Sequence, residues 1–212
     1  MSAVIERIAD AQTFERLRGE WETLLQASAA NNLFLTWEWL ATWWKHLSTE
    51  RELFVLTVRA GGELVAIAPF SLRRRRLGAM SSPSVEFLGT GSVGSDYLDL
   101  IVRGGCEREV VQALAAWLDR EPRILDMAQV RRNGSVAAFL AAELTQRGWI
   151  ASEMSTGLCP FIPLAIPSWP DYLGTLGPTH RSNFGRRLRR ASSCSRCASS
   201  RLAPSARCRT RW

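Results

Sequence analysis
A chain of 212 residues with 46% hydrophobic and 22% charged residues has ordinary globular composition, with length enough for one or two small cores. No run of about 18 apolar residues occurs, which excludes a membrane-spanning helix, and residues 1–7 lack the basic, apolar, small-residue order of a signal peptide, so a cytoplasmic location is expected. The formal net charge of +7 is confined to one end: after Asp171 come ten arginines and no acid, while the first 171 residues hold 17 basic against 20 acidic groups.

Residues 3–8 alternate and predict a first strand. Asp10 is placed to cap a helix whose inward face is Phe14, Leu17, Trp21, Leu24 and Leu25. Thr36 caps a second helix, with Trp37, Leu40, Trp44 and Leu47 in one stripe and Trp39 and Trp43 on another side. Such aromatic stripes either enter a core or wall a ligand groove, since an indole offers both area and an N–H donor. Trp37 and Trp39 are therefore candidate substrate-binding residues. Two β-rich runs flank Gly61-Gly62 and predict a central hairpin. Arg73 to Arg76 then read as a solvated turn, and without an extended basic surface in the body a nucleic-acid partner is not expected.

Residues 89–94, GTGSVG, spell G-x-G-x-x-G. That fingerprint needs a strand before it and a helix N-terminus after it to hold a pyrophosphate. Here residues 96–102, DYLDLIV, alternate as a strand that ends at Arg103-Gly104-Gly105, so a dinucleotide fold is rejected. The glycines are expected to form a bent connection that turns Asp96 and Tyr97 toward a cleft. Asp96 and Asp99 are expected on opposite faces, not as an acid–base pair.

The period then changes. Val110, Val111, Leu114, Trp117 and Leu118 predict a helix, residues 123–130 a strand, and Asn133 caps a helix with Val136, Phe139, Leu140 and Leu144 inward. Residues 149–155 and 159–166 predict two further strands, 168–176 a short helix, and a last helix starts near Pro178. That helix carries Arg181, Asn183, Arg186, Arg187, Arg189 and Arg190, which form either a solvated face or an anion-binding one; Arg181 and Arg186 are candidate substrate contacts. His46 and His180 have no partners at triad spacing. Cys194, Cys197, Cys208 and His180 have incomplete zinc spacing, so no metal is expected. From residue 191 the chain holds three of its five cysteines, no acid and no periodicity. This is the composition of a GC-rich gene read out of frame, or else of a native disordered tail.

The order β-α-α-β-β-(short β)-β-α-β-α-β-β is similar to the GNAT acyltransferase fold. The stretches FLTWEWLATWWKHL, LVAIAPF, VEFLGTGSVGSDYLDLIV and SWPDYLGTLGPTHRSNFGRRLRR together resemble the CelD-like, FemAB-related acyltransferases associated with cellulose and exopolysaccharide biosynthesis. The resemblance covers about residues 1–190. It implies an α/β fold with a mixed, mostly antiparallel sheet flanked by helices, and a disordered C-terminal tail. It also implies a GNAT-like domain over 1–166, a helical connector over 167–190 to a second half, and a tail over 191–212. The expected chain is then the N-terminal part of a two-half enzyme, inactive alone. The implied reaction moves an acyl group from acetyl-CoA or another acyl-CoA to an amine or hydroxyl of a small-molecule, saccharide or peptide acceptor. By the same resemblance Arg103, Gly104 and Gly105 stand where the family's coenzyme pyrophosphate is held, although their spacing departs from the family loop. A non-catalytic binding module, and nucleic-acid binding through the arginine-rich tail, are the alternatives.

Overall fold
The computed structural model describes residues 3–77, 80–91, 93–121, 123–155, 157–159 and 165–199. The chain divides into a first unit, Met1–Thr156, and a second, Gly157–Trp212.

The first unit is built on a mixed sheet. Its strands are β1 (Ala3–Ile8), β2 (Arg51–Ala60), β3 (Glu63–Leu77), β4 (Met80–Phe87), β5 (Ile101–Val102) and β6 (Ile124–Asp126). The path runs β1-β2-β3-β4-β6, with β5 paired to β3. Every pairing is antiparallel except β4 with β6, where Val85 stands opposite Leu125. The architecture is thus α/β with a mostly antiparallel sheet. Gly61 and Gly62, at φ of 60° and 85°, close the β2–β3 hairpin with Ala60 opposite Glu63. Two left-handed residues are what a two-residue turn of this hand requires.

β3 has two successive partners along one edge. Phe70 to Leu77 pair with β4, the Leu88 N–H donates to the Pro69 carbonyl at 2.8 Å, and Ile67 and Ala66 then pair with Ile101 and Val102 of β5. β4 and β5 are therefore one line of backbone, interrupted by an excursion of residues 89–100. The expected strand over 96–102 is corrected to Ile101–Val102 alone. The reason is long-range: Ser95 is held by Trp39 of α3, Tyr97 meets Arg131, and Asp99 accepts from the start of α5, which draws the backbone out of the ladder. No helix follows the glycines.

Helices cover both faces. Asp10 caps α1 (Ala11–Arg16), accepting from the Thr13 N–H at 2.8 Å, and the chain breaks at Leu17 before α2 (Arg18–Gln26). Asn32 caps a 3-10 turn, Leu33–Leu35, and Thr36 caps α3 (Trp37–Leu47). α4 (Glu107–Leu118) and α5 (Val136–Gln146) follow the last strands. On β2, Arg51 lies over the Trp43 ring of α3 and Phe54 meets the Trp117 ring of α4. Positions three apart on a strand point to opposite faces, so α3 and α4 sit on opposite sides of the sheet. One continuous core results, from Phe14, Leu17, Trp21, Leu24 and Leu25 through the sheet to Val110, Leu114 and Leu140.

Several expectations change. In α3 the buried side chains are Leu40 and Trp43, while Leu47 is exposed. Arg73 to Arg76 belong to β3 and not to a turn, because the ladder to β4 runs on to Leu77; Arg73 and Arg74 also pair with Glu50 and Glu52 at 3.6 and 3.8 Å. The 123–130 strand shortens to β6. Ser135, not Asn133, caps α5, which leaves Phe139 outward and puts Ala137 inward. Residues 149–155 form no strand: the Trp149 indole donates to Asp119 at 2.8 Å and its backbone N–H to the Leu144 carbonyl, which holds the chain against helix ends instead of a sheet edge. Most of the second expected strand, 160–164, lies outside the described residues.

The second unit contains α6 (Trp169–Thr175), capped by Ser168, and α7 (Pro178–Ser199). α7 continues past residue 190, into the stretch expected to be tail; residues 200–212 lie outside the described residues.

Candidate functional site
The excursion between β4 and β5 is fixed from two sides. From α3, the Trp39 indole donates to the buried Ser95 hydroxyl at 3.0 Å, and the Trp43 indole donates to the Thr90 carbonyl at 3.1 Å. From the segment after β6, the Thr90 hydroxyl donates to the Gln129 side-chain oxygen at 3.1 Å, and the Gln129 carbonyl accepts from the Leu98 N–H at 3.0 Å. Gly89 is the pivot. Its φ is 85°, and a Cβ there would stand 3.0 Å from the Leu40 side chain. Within this frame Tyr97 is held at a φ of 56°, a conformation side chains rarely adopt, with its carbonyl accepting from the Asn32 side chain at 3.1 Å.

A cavity of about 90 Å³ opens beside Tyr97. It lies between residues 28–32 after α2, residues 97–102, the start of α4 at Glu107, and the start of α5 from Arg131 to Val136. Asp99 forms one wall. Its carboxylate accepts from the N–H groups of Leu100 at 2.8 Å, Val136 at 3.0 Å and Ala137 at 2.7 Å. The Ser135 hydroxyl accepts from Ala138 at 3.3 Å. Asp99 and Ser135 thus occupy the first three free amides of α5, and that helix N-terminus is closed to an outside anion. Burial pushes the Asp99 carboxyl above its ordinary value of 3.8; the three amides and the charge of Arg131 act the other way and weigh less. At the mouth, the Arg131 guanidinium lies 4.8 Å from the centre of the Tyr97 ring and donates no hydrogen bond among the described residues.

The connection from β5 to α4 is the place where the family resemblance would put a coenzyme pyrophosphate. Part of the connection is engaged within the fold, although the Arg103 Nε is buried without a hydrogen bond and the start of α4 has no side-chain cap. Arg103 pairs with Glu63 at 2.8 Å and donates to the Leu64 carbonyl at 3.4 Å. The Gly104 N–H donates to the Ala27 carbonyl at 3.1 Å. Gly105, at a φ of 85°, makes the turn into α4, whose first turn carries Glu107 and Glu109. Two carboxylates at a helix start repel the group that the helix dipole would attract. The pairing of Arg103, the bond from Gly104 and the acidic first turn of α4 weigh against a pyrophosphate here. The cavity is also below the roughly 300–1,000 Å³ of small-molecule sites, so it admits the end of a ligand and not a nucleotide.

Tyr97 and the start of α4 are brought together here; Asp96, half-buried, precedes Tyr97 in the chain. Trp39 supports the loop. Trp37 is turned elsewhere: its indole donates to the Phe14 carbonyl at 3.3 Å, and Arg18 lies over its ring. Arg181 and Arg186 belong to the second unit, where Arg181 donates to the carbonyls of Leu173, Gly174 and Leu176 at the end of α6 and Arg186 donates to Asn183. The residues not anticipated are Asn32, Arg131 and Ser135. Asn32 had a signal, an Asn before an apolar helix start; Arg131 had none, because its role depends on a neighbour distant in the chain.

A second polar group lies under α3. Arg51 pairs with Glu86 at 3.2 Å, both largely buried, and the adjacent Ser84 hydroxyl is buried without a hydrogen bond. Among the described residues no group of His, Cys, Asp and Glu is arranged to hold a metal, and no helix is long and apolar enough to cross a membrane.

No protein-family model matches the chain, and no curated protein matches it in sequence. Among solved structures it is similar to a ribosomal-protein-alanine N-acetyltransferase from Brucella melitensis biovar Abortus 2308, at 15% identity and a TM-score of 0.37 over 76% of this chain and 100% of that one. An aminoglycoside acetyltransferase from an uncultured soil metagenomic sample, in complex with sisomicin, gives 14% identity and a TM-score of 0.40 over 76% and 96%. A GNAT family acetyltransferase from Staphylococcus aureus gives 10% and 0.36 over 76% and 100%. At these scores the similarities carry no conclusion about activity, and the architecture rests on the strand order and register above.

Proposed function
We propose that the first unit is a GNAT-like domain of a CelD-like, FemAB-related acyltransferase, and that its own part is to hold the acceptor, not the acyl donor. In that reading the overall reaction moves an acyl group from acyl-CoA to an amine or hydroxyl, in cellulose or other exopolysaccharide biosynthesis. The observation that carries the division of labour is the state of the β5–α4 connection: Arg103 is held by Glu63, the Gly104 N–H by Ala27, and the helix start is acidic. The Arg103 head and the Gly104 N–H have partners within the fold, while the neighbouring cavity keeps an open mouth.

The chemistry of that mouth favours a polar acceptor without strong net charge. Arg131 supplies donors and Glu107 supplies acceptors, and both line the cavity. The Tyr97 ring adds a flat surface on which a sugar or an alkyl chain can rest. One cation beside Glu107 and the amide-bound Asp99 recognises a hydroxyl-rich saccharide or an amine-bearing group better than a phosphate. The prediction is that some member of a panel of neutral sugars, amino sugars and short peptides raises the melting temperature of the protein, and that Arg131→Gln abolishes the shift without lowering the melting temperature of the free protein. A panel with no effect, or a shift that survives Arg131→Gln, would count against the reading.

A further inference from the structure
The second unit carries a feature that the acceptor site does not use. α7 runs for 22 residues, and the chain has no acidic residue after Asp171. With about 3.6 residues per turn, Phe184 and Leu188 fall on one stripe, Arg187 and Arg189 flank it, and Arg186 and Arg190 lie behind. Phe184 and Leu188 are exposed, and so is Trp169 of α6, which meets the Phe184 ring edge-on at 6.0 Å and the Tyr172 ring at 5.3 Å. The two helices are tied by Arg181, whose guanidinium donates to the carbonyls of Leu173, Gly174 and Leu176 at 3.0–3.1 Å. The result is a preformed aromatic and aliphatic patch rimmed by guanidinium groups.

We propose that this face of the second unit is a docking surface for an anionic lipid bilayer, with Trp169, Phe184 and Leu188 in the boundary between headgroups and acyl chains and the flanking arginines at lipid phosphates. Two features select this occupant. The charge is of one sign, which complements an anionic surface. The apolar stripe lies between the arginines, and an indole at its end is a side chain suited to the membrane–water boundary. A nucleic acid would satisfy the arginines and leave Trp169, Phe184 and Leu188 in water. A bilayer takes up both.

The test is co-sedimentation of the full 212-residue chain with vesicles. Vesicles of phosphatidylcholine mixed with phosphatidylglycerol should carry the protein down; vesicles of phosphatidylcholine alone should not. Arg187→Gln and Arg189→Gln should each lower the partition coefficient roughly fivefold, and added salt should lower it further. Phe184→Ser with Leu188→Ser should abolish sedimentation. Trp169→Gln, at the exposed start of α6, is the second apolar variant should the double one not fold by circular dichroism, and it should weaken partitioning. Absence of sedimentation, equal sedimentation with both vesicle types, or sedimentation untouched by the folded apolar variants would overturn the proposal. So would tighter binding to duplex DNA that persists in those variants, since this would mark a surface for polyanions in general.

Discussion

Gly89 shows how one residue sets the site. It has a positive φ, and its missing side chain lets Leu40 and Leu98 close around the turn that leads out of β4. Gly89→Ala is expected to cost about 1–3 kcal/mol through backbone strain, with a further loss if the Leu40 side chain cannot retreat. Urea unfolding measures it, and a variant as stable as the parent would show that the turn relaxes freely. Arg51 makes a second case. Its guanidinium neutralises a carboxylate that is almost fully enclosed, so Arg51→Met leaves Glu86 buried without this partner. A loss of about 3 kcal/mol is expected; a loss under about 1 kcal/mol would place the compensation of Glu86 in its other contacts. Asp99 differs in sign from the usual carboxylate. Because its folded pKa is raised, the folded state holds the proton more tightly than the unfolded chain, so its contribution becomes more favourable as pH falls through the raised value and levels off below 3.8. Asp10 and Glu20 behave the opposite way: their lowered values, set by the Thr13 N–H and by Arg59, give stability that is present above the ordinary carboxylate range and lost in acid. Comparing parent and Asp99→Asn by denaturant midpoint from neutral to acidic pH should therefore show the parent gaining relative to the variant as pH falls. A gain in the other direction would mean that the three amides outweigh burial.

At the scale of elements, the decisive one is the excursion of residues 89–100. It interrupts a single line of backbone along β3 and carries Tyr97 and Asp99 to the start of α5. The glycines that open it are legible in the sequence as something other than a dinucleotide loop, because no helix-forming pattern follows them. The caps at Asp10 and Thr36 and the Gly61-Gly62 hairpin are legible too, since each depends on bonds or torsions within a few residues. What escapes is long-range. The alternation at 96–102 predicts a strand, but Asp99 finds two amides of α5, those of Val136 and Ala137, that lie more than thirty positions along the chain. Arg73 and Arg74 look like a turn until Ser84 and Pro83 of β4 are paired with them. Trp39 and Trp43 differ from Trp37 in what their indoles reach: Ser95 and Thr90 for the first two, Phe14 for the third. Trp39→Phe should keep the packing against Phe34 and lose the bond to Ser95, lowering stability by about 1 kcal/mol and speeding amide exchange over residues 93–98. Unchanged exchange there would mean that Gln129 and Trp43 suffice to hold the loop.

The molecule as a whole joins a mixed-sheet unit with a polar cavity to a basic helical unit, and the sequence expectation of fold class survives at this scale because it rests on the order of elements and not on any one boundary. The site is less legible. Trp37 and Tyr97, equally plausible by residue type, take different parts, and Arg131 enters only through the fold. The claim on which the functional reading depends is that the β5–α4 connection, with Arg103 and Gly104 partnered inside the fold and an acidic helix start, takes no coenzyme. Amide hydrogen exchange of the full chain, with and without excess acetyl-CoA, tests it most directly. Residues 103–107 should exchange at the same rate in both, with no release of free CoA beyond the spontaneous rate in the presence of amines; slowed exchange confined to those residues, together with enzymatic release, would contradict it.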